Sequence, residues 1–117
     1  MNISGIGVDI TKIDRFIELP FFENTDFYNQ LFLKSEIDFC IKTKPTYSNF
    51  AMIFALKEAV KKSISENIHF LKIEVSIDPI LKSLNLLSPI INKYDFLFST
   101  AYNRNLAVAA VISFKKN

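Results

Sequence analysis

The chain has 117 residues, half of them hydrophobic and 12 of them phenylalanine, with a formal net charge of only +2. That length fits one domain over 1–117, and its apolar content is more than a lone domain of this size readily hides, which points to oligomerisation. The weak charge excludes a polybasic nucleic-acid binder, the lone Cys40 excludes an internal disulfide, and the lone His69 excludes zinc sites built from His and Cys.

In chain order, "ISGIGVDI" alternates Ile6, Val8 and Ile10 against Gly5, Gly7 and Asp9, a strand pattern. Thr11 and Asp14 form a T-x-x-D capping box for a short helix, "KIDRFIEL", stopped by Pro20. A second helical stretch runs through "DFYNQLFL", and Ser35 with Asp38 forms a further capping box opening "EIDFCIK", where Cys40 reads as a small packed hydrophobe. Pro45 and Ser48 lead into a long helix from Asn49 to Ile64. His69 ends a turn before the strand "FLKIEVSI". "LKSLNLL" is a further strand candidate, and "SPIINKY" a short helix or turn. The strands "DFLFSTA" and "LAVAAVISF" flank "YNRN", a hairpin turn. Strand, helices, then several strands is an α+β pattern with an antiparallel sheet packed against helices. No signal peptide opens the chain, and "LAVAAVI" is far short of the ~20 apolar residues that span a bilayer, so a soluble, cytoplasmic protein without membrane contact is expected.

The long helix, "NFAMIFALKEAVKKSI", carries seven apolar residues from Phe50 to Leu56 and then Lys57, Glu58, Lys61 and Lys62. At 100° per residue these charges share an arc of about 140° with Phe50 and Phe54, so one stripe is apolar at its start and charged at its end. A helix apolar all round is buried all round, so another element or another subunit must cover its first half. The charged end reads either as a solvated face with a Glu58–Lys62 i,i+4 pair or as an anion or metal–phosphate site.

Both glycines of the chain, Gly5 and Gly7, share a strand face with Asp9. Glycine inside a strand marks close approach by a ligand or by another backbone, and Asp is a poor strand residue. Asp9 therefore ends a cleared floor, or else caps the next helix while the glycines admit a neighbouring segment. If Asp9 and Glu58 meet, two hard carboxylates can share Mg²⁺ with substrate phosphates, and the lysines can hold the rest of a polyphosphate.

These residues resemble the holo-[acyl-carrier-protein] synthases, the small trimeric 4′-phosphopantetheinyl transferases. "GIGVDITKIDRF" matches one family block at Gly5, Gly7, Asp9, Ile13 and Arg15, and "FAMIFALKEAVKK" matches the other at Phe50, Ala51, Phe54, Ala55, Lys57, Glu58, Ala59 and Lys62. "LFLKSEIDFC" is similar to the segment around a family glutamate, here Glu36. The resemblance implies a compact α+β domain in a homotrimer with active sites between protomers. It implies Mg²⁺-dependent transfer of 4′-phosphopantetheine from coenzyme A to a serine of an apo-acyl carrier protein, with release of 3′,5′-ADP. On it, Asp9 and Glu58 hold the metal, Glu58 is the base, and Lys62 stabilises the departing nucleotide. Lys61, Lys62 and Lys82 hold coenzyme A, and Lys12 and Arg15 meet the acidic helix of the carrier protein.

The chain departs from the family at Ile53, where Arg is common, at Ser65, where Gly is common, and at Leu81 and Tyr102 near the coenzyme's nucleotide end. The departures imply weaker coenzyme A binding. The alternative reading is a catalytically degenerate homologue that binds a carrier protein or nucleotide without transfer.

Overall fold

The computed structural model describes residues 2–77, 82–87 and 93–116. Strand β1 (Asn2–Lys12) is followed by α1 (Asp14–Ile17), α2 (Thr25–Asn29), α3 (Lys34–Lys42) and the long α4 (Thr46–Ser63). Strands β2 (Ile73–Ile77), β3 (Lys82–Leu86), β4 (Tyr94–Tyr102) and β5 (Leu106–Lys115) complete the order. A three-stranded antiparallel sheet has the order β1-β5-β4, and β2 pairs with β3 in a two-stranded one. This is the α+β architecture the sequence implies. The third strand candidate is β3, and His69 caps the turn before β2, its Nδ1 accepting from the Leu71 amide at 3.2 Å. The "SPIINKY" segment lies largely outside the described residues. At the β4–β5 hairpin, Asn103 Oδ1 accepts from the amides of Asn105 and Leu106, both at 2.8 Å.

Small residues decide how α4 lies on the sheet. Ala51, Ala55, Ala59 and Ser63 recur every fourth position and are all buried, which gives the helix one narrow stripe. The inner face of the sheet is equally bare, with Gly5 opposite Ser113, Gly7 opposite Val111 and Asp9 opposite Ala109. A Cβ on Gly7 would sit 1.9 Å from the Ala59 carbonyl oxygen, and one on Gly5 would sit 2.2 Å from that of Ser63. The floor that the glycines clear is thus occupied by α4 itself. Of the two readings of these glycines, close approach by another backbone is the one realised.

The other sides of α4 are covered within the same chain. Phe50 is fully buried against Phe16, Phe21, Tyr28 and Phe32, with ring centroids between 4.6 and 6.3 Å. Phe54 packs on Phe16 at 5.7 Å and on Phe70 at 5.4 Å. Each such side chain removed from water contributes about 1.5–3 kcal/mol. Tyr28 sits inside this cluster because its hydroxyl donates to the carbonyls of Leu19 at 2.7 Å and Phe16 at 3.1 Å. Of the two covers the helix left open, another element or another subunit, elements of the same chain supply the one over Phe50 and Phe54.

Both expected capping boxes are corrected. Thr11 belongs to β1, and α1 begins after Ile13 without a side-chain cap. At α3 the reciprocal bond comes from Glu36, whose Oε1 accepts from the Leu33 amide at 2.7 Å, while Asp38 pairs with Lys34 at 2.9 Å. The helix starts two residues earlier than expected, with Leu33 rather than Ser35 as its N-cap and Glu36 rather than Asp38 as the reciprocal carboxylate.

Candidate active site

Asp9 leaves β1 on the face that meets α4, just beyond the point where Gly7 lets the helix come close. Glu58 and Lys62 leave α4 one turn apart on the side facing that strand end. Lys62 Nζ donates to Asp9 Oδ1 at 3.1 Å and to the Val8 carbonyl at 3.0 Å. The Asp9 side chain is 14% exposed and that of Lys62 51%. The bland Glu58–Lys62 pair is therefore replaced by a cross-element pair, and Glu58 makes no ion pair among the described residues.

Asp9, Thr11, Lys12, Arg15, Phe54 and Glu58 line one open cavity of about 460 Å³. The Arg15 guanidinium lies 4.5 Å from the centre of the Phe54 ring, so an exposed cation is held at the rim by the end of the aromatic cluster. The structure thus gathers Asp9, Glu58, Lys62, Lys12 and Arg15.

Of the other two sequence candidates, Lys61 lies apart from this cluster, and Lys82 is described by its backbone alone. Lys61 turns to the opposite flank of α4, where its Nζ donates to the Ile68 carbonyl at 2.9 Å and lies 4.4 Å from the Phe70 ring. Lys61 and Lys62 are adjacent in sequence and so differ by about 100° around the helix, too much for both to reach one phosphate cluster. The backbone of Lys82 opens β3, and its side chain lies outside the described residues, as does all of Leu81. Ile53 is 1% exposed and belongs to the core, and Tyr102 lies half-exposed at the end of β4.

Lys57, the first of the three helix lysines, is wholly buried. Its ammonium donates to Glu36 Oε1 at 2.6 Å and to the carbonyls of Leu31 at 3.0 Å and Phe70 at 3.1 Å. Glu36 Oε2 accepts from the Val75 amide at 2.8 Å. Burial pushes the Glu36 carboxyl up and the Lys57 ammonium down from their ordinary values, against their mutual attraction. The pair ties α3, α4 and β2 together. Sequence reasoning left Lys57 among the charges of either a solvated face or an anion site, because its stripe also carries Lys61, and nothing in periodicity tells a buried lysine from an exposed one.

The donor set is that of a two-carboxylate cation site. Among the described residues no group of three His, Cys, Asp or Glu side chains converges. Mg²⁺ commonly takes one or two protein carboxylates and completes its shell with water and substrate phosphate. Asp9 and Glu58, with one lysine beside them, match that pattern.

A model of the 4′-phosphopantetheinyl transferase superfamily matches residues 5–111. The chain belongs to that superfamily. Within it, the chain is similar to proteins named holo-[acyl-carrier-protein] synthase. It is 35% identical over 120 residues to the one from Clostridium novyi, covering 94% of this chain and 86% of the relative. It is 36% identical over 76 residues to the one from Chlamydia muridarum, covering 62% of this chain and 61% of the relative. The chain thus spans about three-fifths of the Chlamydia muridarum relative that it matches. The crystal structure of the Helicobacter pylori synthase in complex with coenzyme A superposes with a TM-score of 0.78 at 28% identity, over 93% of this chain and 99% of that one.

Proposed function

We propose that this chain, as one domain, transfers 4′-phosphopantetheine from coenzyme A to a serine hydroxyl of an apo-acyl carrier protein and releases 3′,5′-ADP. The observation that carries the reading is the convergence of Asp9 and Glu58, from two elements, on one cavity with Lys62 bonded to Asp9. Asp9 and Glu58 would hold Mg²⁺, which neutralises charge on the diphosphate. Glu58 accepts the proton of the serine hydroxyl, and the serine oxygen forms its bond to the phosphorus that carries the pantetheine arm. The bond from that phosphorus to the bridging oxygen breaks, and Lys62 receives the charge that develops on the leaving nucleotide. Arg15 and Lys12, at the cavity rim, meet the acidic carrier surface. The test incubates apo-carrier proteins with the protein, coenzyme A and Mg²⁺ and reads intact mass. Addition of one phosphopantetheinyl group, lost in Asp9→Ala, is expected. No mass change with any carrier would refute transfer and favour the degenerate homologue.

The same reading includes a homotrimer, now supported by the sheet rather than by α4. The outer face of the sheet carries Ile6, Ile112 and Leu97 in one row and Ile10, Val108 and Ala101 in another. Ile6, Ile10 and Leu97 are each 62% exposed, and a continuous apolar surface of this kind marks an interface. Light scattering is expected to give three times the chain mass, falling to the monomer mass in Ile6→Glu. A monomer mass for the parent protein would refute the assembly.

A further inference from the structure

Asp9 is held by two donors, one on each carboxylate oxygen, and they differ in kind. Lys62 reaches Oδ1 at 3.1 Å from a half-exposed side chain whose ammonium also donates to the Val8 carbonyl at 3.0 Å. Thr11 Oγ1 donates to Oδ2 at 2.7 Å, and Thr11 is 4% exposed. Thr11 stands two residues from Asp9 on the same face of β1, opposite Ala107 of β5. A buried β-branched side chain has a stiff first torsion, so its hydroxyl is fixed in direction.

We propose that Thr11 is a positioning residue for Asp9: its hydroxyl fixes the plane of the carboxylate so that Oδ1 faces Glu58 and the cation, while Lys62 holds that oxygen until substrate arrives. When Lys62 turns to the phosphates, Oδ1 is released and Oδ2 stays bonded to Thr11. Without the Thr11 hydroxyl the carboxylate can rotate, and the two-carboxylate set loses half of its preorganisation. Groups that orient a metal-binding carboxylate typically change metal affinity by tenfold or more when removed. This inference rests on the functional reading above, and its test separates the two.

Mn²⁺ is titrated into the protein with coenzyme A present and no carrier protein, and binding is read by water-proton relaxation against coenzyme A alone. Thr11→Val replaces the hydroxyl by a methyl of the same shape. It is expected to weaken Mn²⁺ binding about tenfold, and to raise the apparent KM for Mg²⁺ by the same factor with little change in kcat at saturating metal. Thr11→Ser, which restores the hydroxyl, is expected to bind within a few-fold of the parent. Thermal melting checks that each variant is folded. If Thr11→Val does not fold, Thr11→Ser and Thr11→Ala, which lose the same methyl group, carry the comparison. Equal Mn²⁺ binding by parent and hydroxyl-free variant overturns the role of Thr11 alone. No Mn²⁺ binding by the parent overturns both this role and the metal reading on which it rests.

Discussion

Replacing Gly7 by alanine tests whether the approach of α4 to β1 sets the geometry of the site. The added Cβ would lie 1.9 Å from the Ala59 carbonyl oxygen and 2.8 Å from its carbonyl carbon. Both are backbone atoms, so no rotamer change relieves the overlap, and α4 must retreat by about 1.5 Å to reach ordinary contact near 3.4 Å. Overpacking of this kind costs about 1–3 kcal/mol. Gly7 does not have a positive φ, so alanine also recovers about 0.4–1 kcal/mol by restricting the unfolded chain. The steric term wins, and a net loss of about 1.3 kcal/mol lowers the melting temperature of a chain this size by roughly 5–6 °C. The retreat carries Glu58 and Lys62 away from Asp9, and the 3.1 Å Lys62–Asp9 bond passes out of hydrogen-bond range. A misplacement of about 1 Å can cost a hundredfold in rate. Melting curves and carrier-protein mass shifts, with the exposed Ser4→Ala as control, give both readouts. A Gly7→Ala protein that melts within about 2 °C of the parent and transfers at the parent rate would refute the account.

Lys57→Met leaves the Glu36 carboxylate buried beside two amides, and loss of one partner of a buried pair costs about 3–5 kcal/mol, which thermal or denaturant unfolding will show. The pair also satisfies the carbonyls of Leu31 and Phe70, so Glu36→Leu/Lys57→Met is expected to stay destabilised; parent-like stability in that double variant would refute the hub. Burial pushes the Cys40 thiol well above its ordinary value, so the reactive thiolate is scarcer at neutral pH than in free cysteine. Ellman's reagent should leave Cys40 untouched in the folded protein and modify it at once in denaturant. Rapid modification without denaturant would show that the core opens.

The sequence by itself determined the element types and their order, and it singled out the candidate site residues. Period-2 and period-3.6 patterns are local properties of the backbone, and Gly5, Gly7, Asp9, Glu58 and Lys62 stand out as residue types that strands and buried helices do not otherwise favour. Only the tertiary structure decided what each charge does. Lys57, Lys61 and Lys62 lie within six residues of one helix, yet one is buried on Glu36, one holds a carbonyl beside Phe70, and one reaches Asp9. Those fates depend on which carbonyl, ring or carboxylate a distant segment places beside each side chain. For the same reason the cover over Phe50 was legible as a requirement but not as this chain's own aromatic cluster. Helical periodicity states that a face must be buried; the packing of α1, α2 and α3 settles what buries it.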